Sequence, residues 1–65
     1  MQQRIKKIMA LGQHGFVVTQ VGLNHFRVNR RLDLFPLHNE WYDMHTQRRG
    51  SVRDLVVFVK EWLRS

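Results

Sequence analysis

Residues 25–45 read HFRVNRRLDLFPLHNEWYDMH, and the reading of this stretch decides the fold. Phe26 and Val28, then Leu32 and Leu34, then Tyr42 and Met44 recur at every second position, the pattern of half-buried strands. It predicts three short strands in a meander. Those six side chains form one face. His25 and Arg27, Asp33 and Phe35, and Trp41, Asp43 and His45 form the other, which is left to meet a ligand. With Val28 opposite Leu32, the first loop is Asn29-Arg30-Arg31, Phe26 faces Leu34 and Arg27 faces Asp33. With Leu34 opposite Tyr42, the second loop spans 36–40, Leu32 faces Met44 and Asp33 faces Asp43. A slip of one residue would turn apolar side chains to water, which favours these registers. A three-residue hairpin loop usually wants Gly in a left-handed position. Only Asn29 suits that role here, so a bulged turn is expected.

Working outward, residues 2–11 carry Ile5, Ile8 and Met9 as one apolar stripe, with Arg4, Lys6 and Lys7 on the opposite side of a helix. Gly12 is placed to end it in the left-handed conformation. Residues 16–21, FVVTQV, are rich in β-branched side chains and predict the first strand. Gly22-Leu23-Asn24 turns the chain into the meander, and residues 46–50 read as a polar, basic loop. Residues 51–64 predict a second helix. Ser51 and Asp54 resemble a capping box, and Val52, Leu55, Val56, Val59, Trp62 and Leu63 share one face. On that face Trp62 belongs to the core. The order helix, three or four strands, helix predicts one α+β domain over residues 1–65. Its two layers place both helices on one face of an antiparallel meander. No repeat, linker or low-complexity segment interrupts it.

Sixty-five residues bury only about 60% of their unfolded surface, so the core is small and its reserve of stability slight. The absence of cysteine excludes disulfides and thiolate metal sites and fits a reducing, cytoplasmic setting. No apolar run approaches the roughly 20 residues that cross a bilayer, and the apolar part of MQQRIKKIMALG is too short for a signal peptide. No membrane partner is expected. Eleven Lys and Arg against five acids give a net charge of +6, which points to a polyanion: nucleic acid first, an acidic protein surface second.

HGFVVTQVGLNHFRV (14–28), NRRLDLFPLH (29–38) and RGSVRDLV (49–56) together resemble the HicA toxins. The likeness lies in a helix ending before Gly-Phe, a Gly-containing turn before a His-bearing strand, a basic hairpin, and a Gly-Ser start to the last helix. It covers most of the chain, with 39–47 standing as an insertion. The resemblance implies a double-stranded-RNA-binding-like α-β-β-β-α fold and a metal-independent ribonuclease that a HicB-like antitoxin neutralises. It makes His25, one residue past the family's catalytic position, the candidate for residual catalysis and implies no cofactor. The family's histidine follows a Gly-Ser pair, whereas here Gly22-Leu23 is followed by Asn24, so robust ribonuclease activity is not expected. LDLFP followed by WYD also resembles small uncharacterised phage-encoded proteins.

Three groups of side chains carry chemistry in this reading. His25, Asp33, Asp43 and His45 share the open face, where imidazole and carboxylate suit acid–base cleavage of RNA or the holding of a divalent cation. The plainer alternative is an Arg27–Asp33 cross-strand ion pair beside solvated histidines. Phe35 and Trp41, next to Arg27, suit base stacking or a protein hot spot, unless Trp41 packs inward. Arg48, Arg49 and Arg53 crowd the start of the last helix, and with Arg30 and Arg31 they are the expected phosphate contacts. The expected function is a small nucleic-acid-binding module, RNA before DNA. The reading from another class is a phage or mobile-element protein that inhibits a host protein through Phe35 and Trp41.

Overall fold

The hairpin register set by Phe26, Val28, Leu32 and Leu34 is the one the chain adopts: Phe26 pairs with Leu34, Arg27 with Asp33 and Val28 with Leu32. The computed structural model describes residues 3–64. Their order is α1 (Gln3–Ala10), a 3-10 turn (Leu11–His14), β1 (Val18–Gly22), β2 (His25–Val28) and β3 (Leu32–Phe35). A second 3-10 turn (Pro36–His38), β4 (Glu40–Asp43), β5 (Arg48–Ser51) and α2 (Leu55–Arg64) complete it. Gln2, expected in the first helix, lies outside the described residues. The sheet is antiparallel, with its five strands in sequence order. Buried Phe26, Val28, Leu32, Leu34 and Trp41 from the sheet join Ile8, Leu11, Leu55 and Val59 in one core, so both helices cover the same face. The α+β architecture stands as expected.

β4 departs from expectation by one residue. Asn39 adopts the left-handed conformation at φ 53° and closes the loop after the Pro36–His38 turn, one position earlier than expected. Leu34 therefore pairs with Trp41 and Leu32 with Asp43, while Tyr42 faces Asp33 on the opposite side. Trp41 is 9% exposed and Asp43 fully buried, both on the core face. Met44 falls in the 44–47 turn rather than on a strand.

β5 is a fifth strand where a basic loop was expected, and Arg48 and Arg49 lie on it rather than at a helix start. α2 starts at Leu55, and its cap is Asp54, whose Oδ1 accepts the N–H groups of Val56 (3.0 Å) and Val57 (3.2 Å). Ser51 stays in β5, so no capping box forms. At the other helix the left-handed residue is Gly15 (φ 89°), not Gly12, and its N–H bonds Leu11 O after the 3-10 turn. β1 begins at Val18, two residues later than expected, and its pairing with β2 shifts between Gln20 and Gly22.

Asn29 (φ 54°) and Arg30 (φ 57°) are both left-handed, the requirement of a type I′ turn, and Arg31 N–H bonds Val28 O at 3.0 Å. Asn29 is pinned from two sides: it donates its N–H to Val17 O (2.7 Å) and accepts Val17 N–H at Oδ1 (2.8 Å).

Candidate functional site: the open face of the sheet

Strand pairing sets the uncovered side chains in two rows. One runs Thr19, Arg27, Asp33, Tyr42, Arg49 across all five strands. In the next, Phe35 pairs with Glu40 and Glu40 with Ser51, and His25 lies against Phe35 from β2. The matching rows on the other face, Val18-Val28-Leu32-Asp43-Arg48 and Gln20-Phe26-Leu34-Trp41-Gly50, carry the core side chains that meet the helices, with Gln20 and Arg48 exposed on the edge strands.

The β2–β3 part of the open face is a fixed polar–aromatic cluster. Arg27 donates Nε–H to Asp33 Oδ1 at 2.7 Å, and this hydrogen bond, with the carboxylate charge behind it, holds the guanidinium even more firmly protonated than usual. The ordinary cross-strand ion pair is thus real. His25 stacks on Phe35 with ring centroids 4.7 Å apart at 25°. Its Nε2 lies 3.2 Å from Asp33 Oδ1, near enough for an ion pair when the ring is protonated but without hydrogen-bond alignment. The Asp33 carboxylate is thereby committed to Arg27, with His25 beside it.

The β3–β5 part is less committed. Phe35, Glu40, Tyr42, Arg49 and Ser51, together with Trp41 and Gly50 between them on β4 and β5, line an open hollow of about 730 Å³, within the size range of ligand clefts at roughly 300–1,000 Å³. Phe35 and Tyr42 are diagonal neighbours on adjacent strands, and both keep part of their ring surface in solvent. Such a face can stack planar rings and attract anions at its cationic flanks.

Of the expected site residues, the structure brings His25, Arg27, Phe35 and Arg49 onto this face. Trp41 and Asp43 are corrections. Trp41 stacks on Phe58 (4.5 Å) and lies tilted against Trp62 (4.8 Å), so it is core, not a surface anchor. Asp43 accepts Arg31 Nε–H (3.0 Å), the Trp62 indole N–H and the His45 N–H (2.7 Å). Burial would raise the Asp43 carboxyl, but Arg31, Trp62 and the His45 and Thr46 N–H groups hold it well below the ordinary carboxylate range. Asp33 and Asp43 therefore lie on opposite faces. His45 is exposed in the 44–47 turn. Among the described residues no three His, Cys, Asp or Glu side chains are placed to hold a metal ion.

The five expected phosphate contacts do not form one cluster. Arg31 is tied to Asp43, its Nη2 2.9 Å from Oδ2, and Arg30 is exposed at the loop tip beside it. Arg48 begins β5 at that same end of the sheet. Arg53 lies at the other end, in a small cleft with Arg4 and Lys7. Tyr42 and Glu40 were missed because the frame of β4 was set one residue out; the signal that could have found them is Asn39, a residue tolerant of the left-handed conformation that closes the loop early.

Comparison of the chain with known protein families, characterised proteins and solved structures finds no match. Among the described residues no helix is long and apolar enough to cross a membrane.

Proposed function

We propose that the protein is an RNA-binding module that holds a single strand on the open face of its sheet. The observation that carries this reading is the pair of part-exposed rings, Phe35 and Tyr42, set diagonally on a helix-free face between Arg27 and Arg49. Base–aromatic stacking contributes about 1–3 kcal/mol per base, and cations beside the rings hold the phosphates. The net charge of +6 supplies the long-range attraction. A duplex cannot offer its base faces, and the arginine pair expected at a helix start lies on β5 instead. Both points favour a single strand over the duplex that a double-stranded-RNA-binding-like domain would grip. Of the HicA resemblance this reading keeps RNA as the partner; His25 serves to support Phe35 from behind. Host-protein capture through Trp41 loses its anchor, since that side chain packs under α2.

An NMR titration with a short oligouridine tests the proposal. Shifts should concentrate on His25, Arg27, Phe35, Tyr42 and Arg49, with weaker binding to the DNA equivalent. Shifts confined to the helical face, or none at low salt, would refute it.

A further inference from the structure

The acidic member of this basic face points to a specific ligand. Only five residues of the chain are acidic. Asp33 is held by Arg27, Asp43 by Arg31 and Trp62, and Asp54 caps α2. Glu40 is different. It is exposed, lines the hollow with Phe35, Tyr42 and Arg49, and no hydrogen bond or ion pair among the described residues engages its carboxylate. A free carboxylate in a phosphate-binding surface repels the backbone it is meant to hold, unless it is there to accept hydrogen bonds from a base.

We infer that the Phe35–Glu40–Tyr42–Arg49 hollow reads one unpaired guanine, an inference that rests on the single-strand reading above. Guanine alone among the four RNA bases presents two adjacent donors, N1–H and the N2 amino group, which match the two oxygens of a carboxylate. Adenine and cytosine place a ring acceptor beside their single amino donor, and uracil flanks its N3–H with two carbonyls, so each would set a lone pair against Glu40. Guanine's other edge carries the O6 and N7 acceptors, the pair that an arginine fork matches. Glu40 and Arg49 lie one row apart on adjacent strands of the same hollow, so donors and acceptors of one base have opposite partners there. Phe35 is the direct cross-strand partner of Glu40, and Tyr42 that of Arg49, which puts a ring beside each polar contact for the base plane to lie on. An organic cation would also suit two rings and a carboxylate, but Arg49 and the net charge of +6 oppose it.

The test uses anisotropy of labelled oligouridines carrying one central guanine, adenine, cytosine or inosine, against the native chain and Glu40→Gln. Guanine should bind about tenfold more tightly than adenine or cytosine, within the range of a bidentate base contact. Inosine, which lacks the N2 amino group, should lose most of that preference. Glu40→Gln should abolish the preference while holding or strengthening binding of plain oligouridine, since it removes a charge that no partner neutralises. Equal affinity for all four centres would overturn the guanine site and leave the single-strand reading standing. A guanine preference that persists in Glu40→Gln would overturn the role of Glu40. Failure of every oligomer to bind would remove both. Free guanosine 5′-monophosphate, competing as strongly as the guanine-bearing strand, would show that a nucleotide rather than a strand is the ligand and overturn the inference as stated.

Discussion

The indole N–H of Trp62, near the end of α2, is donated to Oδ2 of Asp43 at the end of β4. The same carboxylate accepts from Arg31 in the β2–β3 loop and from the His45 and Thr46 N–H groups of the β4–β5 turn. One buried anion thus joins a helix, a strand and two turns on the face away from the proposed RNA site. A carboxylate inside a small core is tolerated only with such partners, because an unpaired buried charge is costly.

Asp43→Ala should therefore be among the most damaging single changes. It strands the Arg31 guanidinium and the Trp62 N–H, and breaking one side of a buried pair costs about 3–5 kcal/mol. A domain of this size has little more than that in reserve. Circular dichroism should show a variant unfolded or nearly so at room temperature; a cooperative melt shifted by only a few degrees would show that the network carries little stability.

Acid should act through the same group. The folded-state Asp43 carboxyl titrates below its ordinary value of 3.8, despite burial that opposes this, because Arg31, Trp62 and two backbone N–H groups favour the anion. A depressed folded value means that the stabilisation is fully present above the unfolded value. It is lost progressively as pH falls from about 4 towards the folded value. Thermal melts should be nearly flat from neutral pH to about pH 5 and then fall. Asp43→Asn should be less stable at neutral pH yet show a shallower acid limb. An unchanged acid limb in that variant would assign acid unfolding to other carboxylates.

The first hairpin was legible because Phe26, Val28, Leu32 and Leu34 admit only one apolar frame. WYDM admits two. Tyr42 with Met44 keeps carboxylates outside, whereas Trp41 with Asp43 buries the larger ring at the expense of burying a charge. Sequence alone favours the first frame, because the partners that make Asp43 tolerable come from Arg31, twelve residues away, and Trp62, nineteen away. β5 was illegible for a related reason: RRGS has no apolar alternation, and it is held by pairing with β4 beneath the Trp41 ring. The open face was legible in its β2 and β3 members and wrong in its β4 members, one register step carrying the whole difference.

Gly50 tests that explanation of β5. A Cβ there would stand 3.2 Å from Cζ2 and Nε1 of the Trp41 indole, which is wedged against Phe58 and Trp62 and has little room to retreat. Gly50→Ala should destabilise by about 1–3 kcal/mol, as overpacking does. Gly12→Ala, where a Cβ meets nothing within 4 Å, should be neutral or slightly stabilising, by up to about 1 kcal/mol. Urea unfolding midpoints compare the two, and equal midpoints would refute the close packing of Trp41 on β5.

Arg30 holds a left-handed backbone (φ 57°) at an exposed loop tip, where a non-glycine residue is strained by about 1–2 kcal/mol. Arg30→Gly would give Asn-Gly, the preferred type I′ pair. After the greater chain entropy of glycine is offset, a net stabilisation of up to about 1 kcal/mol is expected. The same change removes a cation beside Arg31 and Arg48, so RNA affinity should fall while the melting temperature rises. A variant that is more stable and binds RNA as well as the native chain would show that this loop lies outside the binding surface.

Binding and folding should separate cleanly between the two faces of the sheet. Phe35→Ala and Tyr42→Ala remove part-exposed rings from the open face, and each should weaken single-stranded RNA by about 1–3 kcal/mol with modest effects on melting. Trp41→Ala and Trp62→Ala should do the reverse, since both rings pack in the aromatic group with Phe58 and removal of a core aromatic costs about 3–5 kcal/mol. Trp62 lies across the sheet from the site, and Trp41 both packs in the core and borders the hollow, so labelled RNA reports binding without mixing in changes of core packing. Arg48 and Arg49 replaced together should lower affinity for every sequence, and most for strands that carry the guanine whose O6 and N7 edge Arg49 meets. They should also flatten the dependence of log affinity on log salt by about one unit, as a lost phosphate contact does, since only Arg49 of the two lies on the open face. Arg31→Ala should instead lower stability first, because its guanidinium is held by Asp43. Should the Tyr42 change leave affinity untouched while the Arg48–Arg49 change abolishes it, RNA is held by charge alone, and the rings of the open face have no part in it.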